Sequence, residues 1–171
     1  MAAWTPAEIT TVLWLDASDA STITESGGVI SQWADKSGND YHATQSTSAN
    51  RPTVSSSYLN SLDVVDFDDT SAQYFTLGTQ ITDASLAGAT GYVVFELNNF
   101  PYTTVTEAAL WRICRSTSET AFGITGAGGS GTIYDTFGRF SSTSNVGNFA
   151  AAYFETPRIY MAHIHGFGDG E

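Results

Sequence analysis

The feature that most constrains this chain is what it lacks: beyond its first few residues there is almost no 3.6-residue apolar periodicity. Instead, short apolar or alternating runs are each closed by clusters of Gly, Asn, Asp, Ser or Pro, the pattern of strands joined by turns. Strands are expected near Val29–Trp33, His42–Gln45, Leu62–Phe67, Tyr74–Leu77, Gly91–Leu97 and Ala109–Cys114. Later ones are expected near Ala121–Thr125, Thr132–Phe137, Asn148–Phe154 and Arg158–Ile164. Helix is confined to two short turns near the N-terminus. Thr5-Pro6-Ala7-Glu8 forms a capping box with proline at the first helical position, opening about one turn that leads into a strand at Thr11–Leu15. A second turn is expected at Asp19–Ile23, where Asp and Ser can cap it. Many short strands without interleaved helices argue for an all-β sandwich or barrel rather than a parallel sheet.

A chain of 171 residues is expected to form one domain, spanning 1–171, with a core large enough to need no covalent staple. Cys114 stands alone, so no disulfide closes within the chain. This suits a reducing cytoplasm, and equally a viral or bacterial surface protein built without disulfides. Met-Ala-Ala-Trp-Thr-Pro has neither the basic nor the apolar region of a secretory signal, and no apolar run approaches the ~18 residues of a membrane span. A soluble protein without membrane insertion is expected. Six Lys and Arg stand against eighteen Asp and Glu, a net charge of −12. Nucleic acid is bound mainly by neutralising phosphates, so it is a poor partner for this chain; a neutral glycan, or simple solubility, suits the charge better. Gly126–Gly131 lacks the lysine and the strand-to-helix setting of a phosphate loop and reads as a hairpin connection.

An ordered set of short motifs covers nearly half the chain. It runs through Trp14-Leu15-Asp16-Ala17-Ser18-Asp19, Gly28, Trp33 and Asp35-Lys36-Ser37-Gly38-Asn39. It continues through His42-Ala43-Thr44-Gln45, Arg51-Pro52 and Val64-Val65-Asp66-Phe67-Asp68. In this order the set resembles the concanavalin A-like lectin/glucanase superfamily, in the laminin-G-like form of phage virion and bacterial surface proteins. The resemblance implies a two-sheet antiparallel jelly-roll sandwich, often with a ligand or a calcium ion at one rim. It implies no single function, because that fold carries lectins, glycanases, adhesion modules and structural virion parts. Family members usually add a strand after the position of Arg158–Ile164. A chain ending at Glu171 implies a shortened domain, a truncated one, or a last strand supplied by a partner.

Read as chemistry, most of these residues are structural. Trp14, Trp33 and Phe67 are expected in the core. Asp35 and Asn39 flank Ser37-Gly38 as turn formers, with Gly38 free to take φ > 0. A glycanase on such a fold needs carboxylates alternating on one strand, so that acid and nucleophile share a face. The nearest run, Asp66-Phe67-Asp68-Asp69, reads as a strand end and its turn, and no catalytic residue is assigned. No nucleophile elbow is present, and Cys114 reads as a small buried hydrophobe. His163 and His165 lie two apart on one strand face, with His42 the third imidazole a zinc site would require; an exposed pair on an edge strand is the favoured reading. Asp16, Asp19, Asp35, Asp40 and Asp169 lie near turns without the dense acid pattern of a calcium loop, so neither a metal nor another cofactor is assigned.

Binding by a surface is what remains. In Gly91–Leu97 the alternation turns Val93, Phe95 and Leu97 inward and Tyr92, Val94 and Glu96 outward. In the next strand Trp111 and Ile113 are expected inside, with Leu110, Arg112 and Cys114 on the other face. Tyr92, Glu96, Arg112, Tyr134, His163 and His165 form the candidate ligand surface: aromatic faces beside groups that hydrogen-bond sugar hydroxyls. The expected function is a non-catalytic, lectin-like carbohydrate-binding module for host attachment on a phage tail, tail fibre or capsid surface. A bacterial cell surface is the alternative location. The rival function is a structural or capsid decoration protein that contacts only other virion subunits; a glycoside hydrolase ranks third. An open final strand points to a homo-oligomer or a place in a virion assembly.

Overall fold

The computed structural model describes residues 5–68, 70–77, 88–96, 107–116, 119–127, 132–135, 144–148 and 156–165. Their regular structure is antiparallel strand with three short 3₁₀ turns, so the all-β expectation holds. The chain divides into two compact units, Met1–Ile81 and Thr82–Glu171, described separately below.

The first unit holds β1 (Ile23–Ser26), β2 (Val29–Trp33), β3 (Ala43–Thr44), β4 (Thr53–Leu59), β5 (Leu62–Asp66) and β6 (Thr76–Leu77). β2 is the hub of its sheet. β1 lines one edge of it, β4 and β3 share the other, and the order runs β5-β4-β2-β3-β6. Two hairpins turn in two residues each. Gly27-Gly28, at φ +66° and +83°, joins β1 to β2, and Asn60-Ser61, at φ +51° and +65°, joins β4 to β5. Two positive φ values in succession make the turn whose twist matches the flanking strands.

One irregularity in β2 decides which side chains meet. Thr24 pairs with Gln32 but Glu25 pairs with Ile30, so Ser31 is an extra residue in β2. Such a bulge interrupts the two-residue alternation, and Ile30 and Trp33, three apart, share a face. Ile30 and Ala43 are buried there, and Trp33 packs against Phe75 with ring centroids 6.4 Å apart. Across the strands, Trp33, Ala43 and Leu77 form one row, while Gln32, Thr44 and Thr76 form the adjacent row on the opposite face.

Several sequence expectations need correction. Thr11–Leu15 is not a strand. The loop after β2 takes up its backbone groups instead: Trp14 N donates to Asp35 Oδ1 at 2.8 Å, Lys36 N to the Trp14 carbonyl at 2.8 Å, and Asn39 Nδ2 to the Val12 carbonyl at 3.0 Å. Phe67 is 47% exposed rather than core, its ring edge-on to Phe75 at 5.9 Å. It lies one residue beyond β5, where strand pairing no longer carries its side chain inward. β1 and β4 were not expected, and the runs at His42–Gln45 and Tyr74–Leu77 shorten to two paired residues each. The two N-terminal turns do form, at Pro6–Glu8 and Ala20–Thr22, the first with Thr5 N donating to Glu8 Oε1 and the second capped by Asp19. A third lies at Ser48–Asn50.

The second unit holds β7 (Gly88–Phe95), β8 (Glu107–Ser116), β9 (Glu119–Ala127), β10 (Thr132–Asp135), β11 (Ser144–Asn148) and β12 (Arg158–His165). β8 to β11 form an antiparallel meander, and β7 pairs with β12 from Gly88–His165 to Phe95–Arg158. Gly126 and Ala127, expected in a hairpin connection, pair with Ile133 and Thr132 as strand residues; residues 128–131 lie outside the described set. The expected strand Asn148–Phe154 meets the observed one only at Asn148; residues 149–155 lie outside the described set. In β8 the register shifts between Ala109 and Trp111, between Ile113 and Cys114 and between Cys114 and Ser116, so uninterrupted pairing runs only over Glu107–Ala109 and Trp111–Ile113.

Candidate functional site

On the face of the first sheet opposite Trp33, Ala43 and Leu77 lies an open groove of about 410 Å³, within the range of small-ligand sites. Its floor is the row Gln32, Thr44 and Thr76, joined by Ser31 because the bulge turns both Ser31 and Gln32 to this side. The hydroxyls are anchored to main chain: Thr76 Oγ1 donates to the Thr44 carbonyl at 3.2 Å and Ser31 Oγ to the Thr24 carbonyl at 3.1 Å. Each oxygen therefore keeps lone pairs to offer as an acceptor. The Gln32 amide holds no hydrogen bond among the described residues.

Gln45 organises the rim. It is 5% exposed, and each of its polar groups is used on a groove neighbour. Its Nε2 donates to the Tyr74 carbonyl at 2.9 Å, its Oε1 accepts from Thr47 N at 2.9 Å, and its backbone N donates to the Ser31 carbonyl at 2.9 Å. Arg51 Nε donates to the Gln45 carbonyl at 2.8 Å and Nη2 to the Ser46 carbonyl at 3.0 Å. Two of the five guanidinium N–H bonds are thus spent on holding Arg51 in place, and the others have no partner among the described residues. Tyr74 is half-exposed on the rim. The groove combines fixed oxygen acceptors, an amide, a braced guanidinium and one aromatic ring. Among the described residues its lining includes no carboxylate, thiol or imidazole.

A second polar cluster is structural. Buried Asp35 accepts from the backbone N of Trp14, Ser37 and Tyr41 and from Ser37 Oγ at 2.6 Å. Burial pushes its carboxyl pKa up, but these four donors outweigh burial and leave it below the usual value. The turn-former reading of Asp35-Lys36-Ser37-Gly38-Asn39 holds, with Gly38 at φ +90°. Lys36 reaches both Asp16 Oδ2 at 3.0 Å and Asp19 Oδ2 at 2.8 Å, and its ammonium sits 4.5 Å over the Trp14 ring. Its hydrogen bond, with another from Ser21, lowers the Asp19 pKa to about 2. Asp16 and Asp19 are thus both paired with one lysine. His42 Nδ1 accepts from Asp35 N at 3.1 Å, which ties that imidazole to the same loop. Among the described residues no three His, Cys, Asp or Glu side chains converge as metal ligands would, and no helix is long and apolar enough to cross a membrane.

The residues singled out from the sequence lie in the other unit, on two sheets. Tyr92 in β7 pairs with Met161 in β12, the strand that also carries His163 and His165 opposite Thr90 and Gly88. Glu96 follows β7 directly and is half-buried. Arg112 lies in β8 opposite Gly123, and Tyr134 lies in β10 between Thr125 and Asn145. The side chains of Arg112, Tyr134, His163 and His165 lie outside the described residues, as does Asp169. The outward placement of Tyr92 and Val94 holds; with Ile159 and Met161 they form an exposed apolar face.

No protein-family model, curated protein or solved structure matches this chain. Sequence reasoning passed over Gln45, Arg51 and Tyr74 as site residues. The available signal was the presence of His42–Gln45 and Arg51-Pro52 in the motif set, where both served only as marks of fold.

Proposed function

We propose that this chain is a lectin-like module that holds a saccharide, without catalysis, in the groove over β2, β3 and β6. We further propose that it belongs to a concanavalin A-like jelly-roll sandwich and serves on a virion surface, in a tail, fibre or capsid protein that attaches to host glycan. The groove's chemistry carries the reading. Sugars present hydroxyls that both donate and accept, and C–H faces that stack on aromatic rings. The groove answers with Thr and Ser oxygens, Gln32, Arg51 and Tyr74, preset by Gln45. Hydrolysis of a glycosidic bond uses a pair of carboxyl groups, and the lining offers none among the described residues. The ordered motifs and the antiparallel strands support the fold proposed. A glycan array probed with the chain tests the function: binding is expected, and Tyr74→Ala should abolish it while leaving the far-UV spectrum unchanged. A folded chain that binds no glycan, or binding indifferent to Tyr74→Ala, would overturn the reading.

One observation favours a second function, a decoration protein that contacts other virion subunits. The exposed face of Tyr92, Val94, Ile159 and Met161 suits a protein neighbour better than a sugar. Cross-linking the chain to a neighbouring virion subunit through this face, with the array blank, would establish it in place of the first.

A further inference from the structure

We infer that the saccharide held by the groove is acidic, and that Arg51 receives its carboxylate. The inference rests on reading the groove as a saccharide site. The hydroxyls of Ser31 and Thr76 point their hydrogens at backbone carbonyls, and so does that of Thr44, at 3.5 Å from the Thr76 carbonyl. Toward a ligand these side chains are acceptors. The donors that remain are the hydroxyls of Ser46, Thr47 and Tyr74, the Gln32 amide and the N–H bonds of Arg51 that have no partner among the described residues, and of these only Arg51 is charged. Among the described residues of the lining it is also the only charged group. A guanidinium presents paired N–H bonds in a plane, which matches the two oxygens of a carboxylate better than a lone hydroxyl.

Two features make this more than a stray surface arginine. Nε and Nη2 are bonded to consecutive backbone carbonyls, Gln45 and Ser46, so the guanidinium plane is set before any ligand arrives. Gln45, which supplies one of those carbonyls, also holds the main chain of Tyr74 and Thr47, so the anion subsite and the backbone that carries the ring share one brace. The net charge of −12 opposes an anionic ligand. That repulsion acts between exposed charges screened over about 8 Å at physiological salt, whereas the Arg51 contact acts at hydrogen-bond range. The contact wins.

The test uses oligosaccharides containing glucuronate, galacturonate or N-acetylneuraminate, each paired with its methyl ester, which keeps the shape and removes the charge. Calorimetry on the full chain should find at least one acid bound, with its ester weaker by about tenfold or more, the worth of a charge-assisted hydrogen bond. Arg51→Gln should erase the difference between acid and ester, and Arg51→Lys should restore part of it. Because Arg51 also braces the rim, Arg51→Gln can fail to fold; the acid–ester comparison on the unaltered chain decides without it. Esters or neutral glycans bound as tightly as the acids would overturn this inference and leave the glycan reading standing. A chain that binds no saccharide of either kind would overturn both.

Discussion

The groove over β2, β3 and β6 and the exposed face of the β7–β12 ribbon both meet solvent, and they are built in opposite ways. In the groove a set of side chains is tied to main chain: Gln45 to the Tyr74 carbonyl and Thr47 N, Thr76 to the Thr44 carbonyl, Arg51 to two carbonyls. On the ribbon, Val94 faces Ile159 and Tyr92 faces Met161 as cross-strand pairs, with Tyr92 66% and Ile159 74% exposed. The first surface can reward a ligand only through hydrogen bonds of fixed direction and one ring. The second rewards any partner that removes apolar area from water, with little demand on direction. On the functions proposed, the first would select small polar molecules and the second would adhere to a protein surface.

The largest expected effect comes from the support beneath the first unit. Asp35→Ala removes the acceptor of three backbone N–H groups, those of Trp14, Ser37 and Tyr41. At about 1–3 kcal/mol for each buried donor left unpaired, discounted for water entry, the loss should be roughly 3–5 kcal/mol in a denaturant titration. A midpoint equal to the parent's would show that the loop does not hold the Thr11–Leu15 segment. Acid should probe the same support. Asp16, Asp19 and Asp35 all have folded pKa values below the unfolded one, so their stabilisation is complete above pH 3.8 and is lost as pH falls through the folded values, to about 2 for Asp19. Lys36 is shifted up, so its share persists at low pH only while its carboxylate partners stay ionised; in alkali it is lost above 10.5. A stability profile flat between pH 4 and pH 2 would count against the cluster.

Next in size is the brace itself. Gln45→Leu keeps the volume but leaves the Tyr74 carbonyl and Thr47 N without their bonds, at a cost of about 2 kcal/mol. Saccharide binding should fall further than stability does, because Tyr74 and Thr47 lose their fixed positions together. Equal binding by the folded variant would break the claim that this surface is preset.

Which parts of this were legible in the sequence follows from range. The alternation of Tyr92, Val93, Val94 and Phe95 is local, and their outward and inward placement could be read directly. So could the turn at Ser37-Gly38 and the cap at Asp19, where side chain and backbone partners lie two residues apart. The groove could not. It needs an extra residue at Ser31, which reverses the face that plain alternation assigns, and a bond between Gln45 and Tyr74, 29 positions apart. Thr11–Leu15 misled for the same reason: an extended, alternating segment looks alike whether its partner is a strand or a loop of side-chain acceptors. The site residues that the sequence suggests are aromatic and ionisable groups read as outward-facing on strands. The groove's floor is hydroxyls and an amide, which composition makes common everywhere in this chain.

On the ribbon, Ile159→Lys should scarcely touch folding, since exposed substitutions away from special features stay within about 0.5 kcal/mol. Its effect belongs to association. If the exposed face meets a protein neighbour, the lysine should abolish that contact and leave glycan binding in the groove intact; loss of glycan binding instead would collapse the distinction between the two surfaces.

The smallest effect should come from the turn between β4 and β5, which touches neither surface. Asn60 and Ser61 both sit at positive φ, +51° and +65°. Asparagine tolerates that region because its short amide can bond locally; serine has less claim to it. Ser61→Gly removes the Cβ clash, worth about 1 kcal/mol, but loosens the unfolded chain by roughly half of that or more. The balance should be a gain of a few tenths of a kcal/mol, with Asn60→Gly gaining less. Ser61→Val, which puts a β-branched residue at positive φ, should lose about 1–2 kcal/mol in the same titration. Glycan binding should be equal in all three variants when measured where each is folded. A binding change in Ser61→Gly would mean that the β4–β5 hairpin steers the groove, and the site would have to be redrawn to include it.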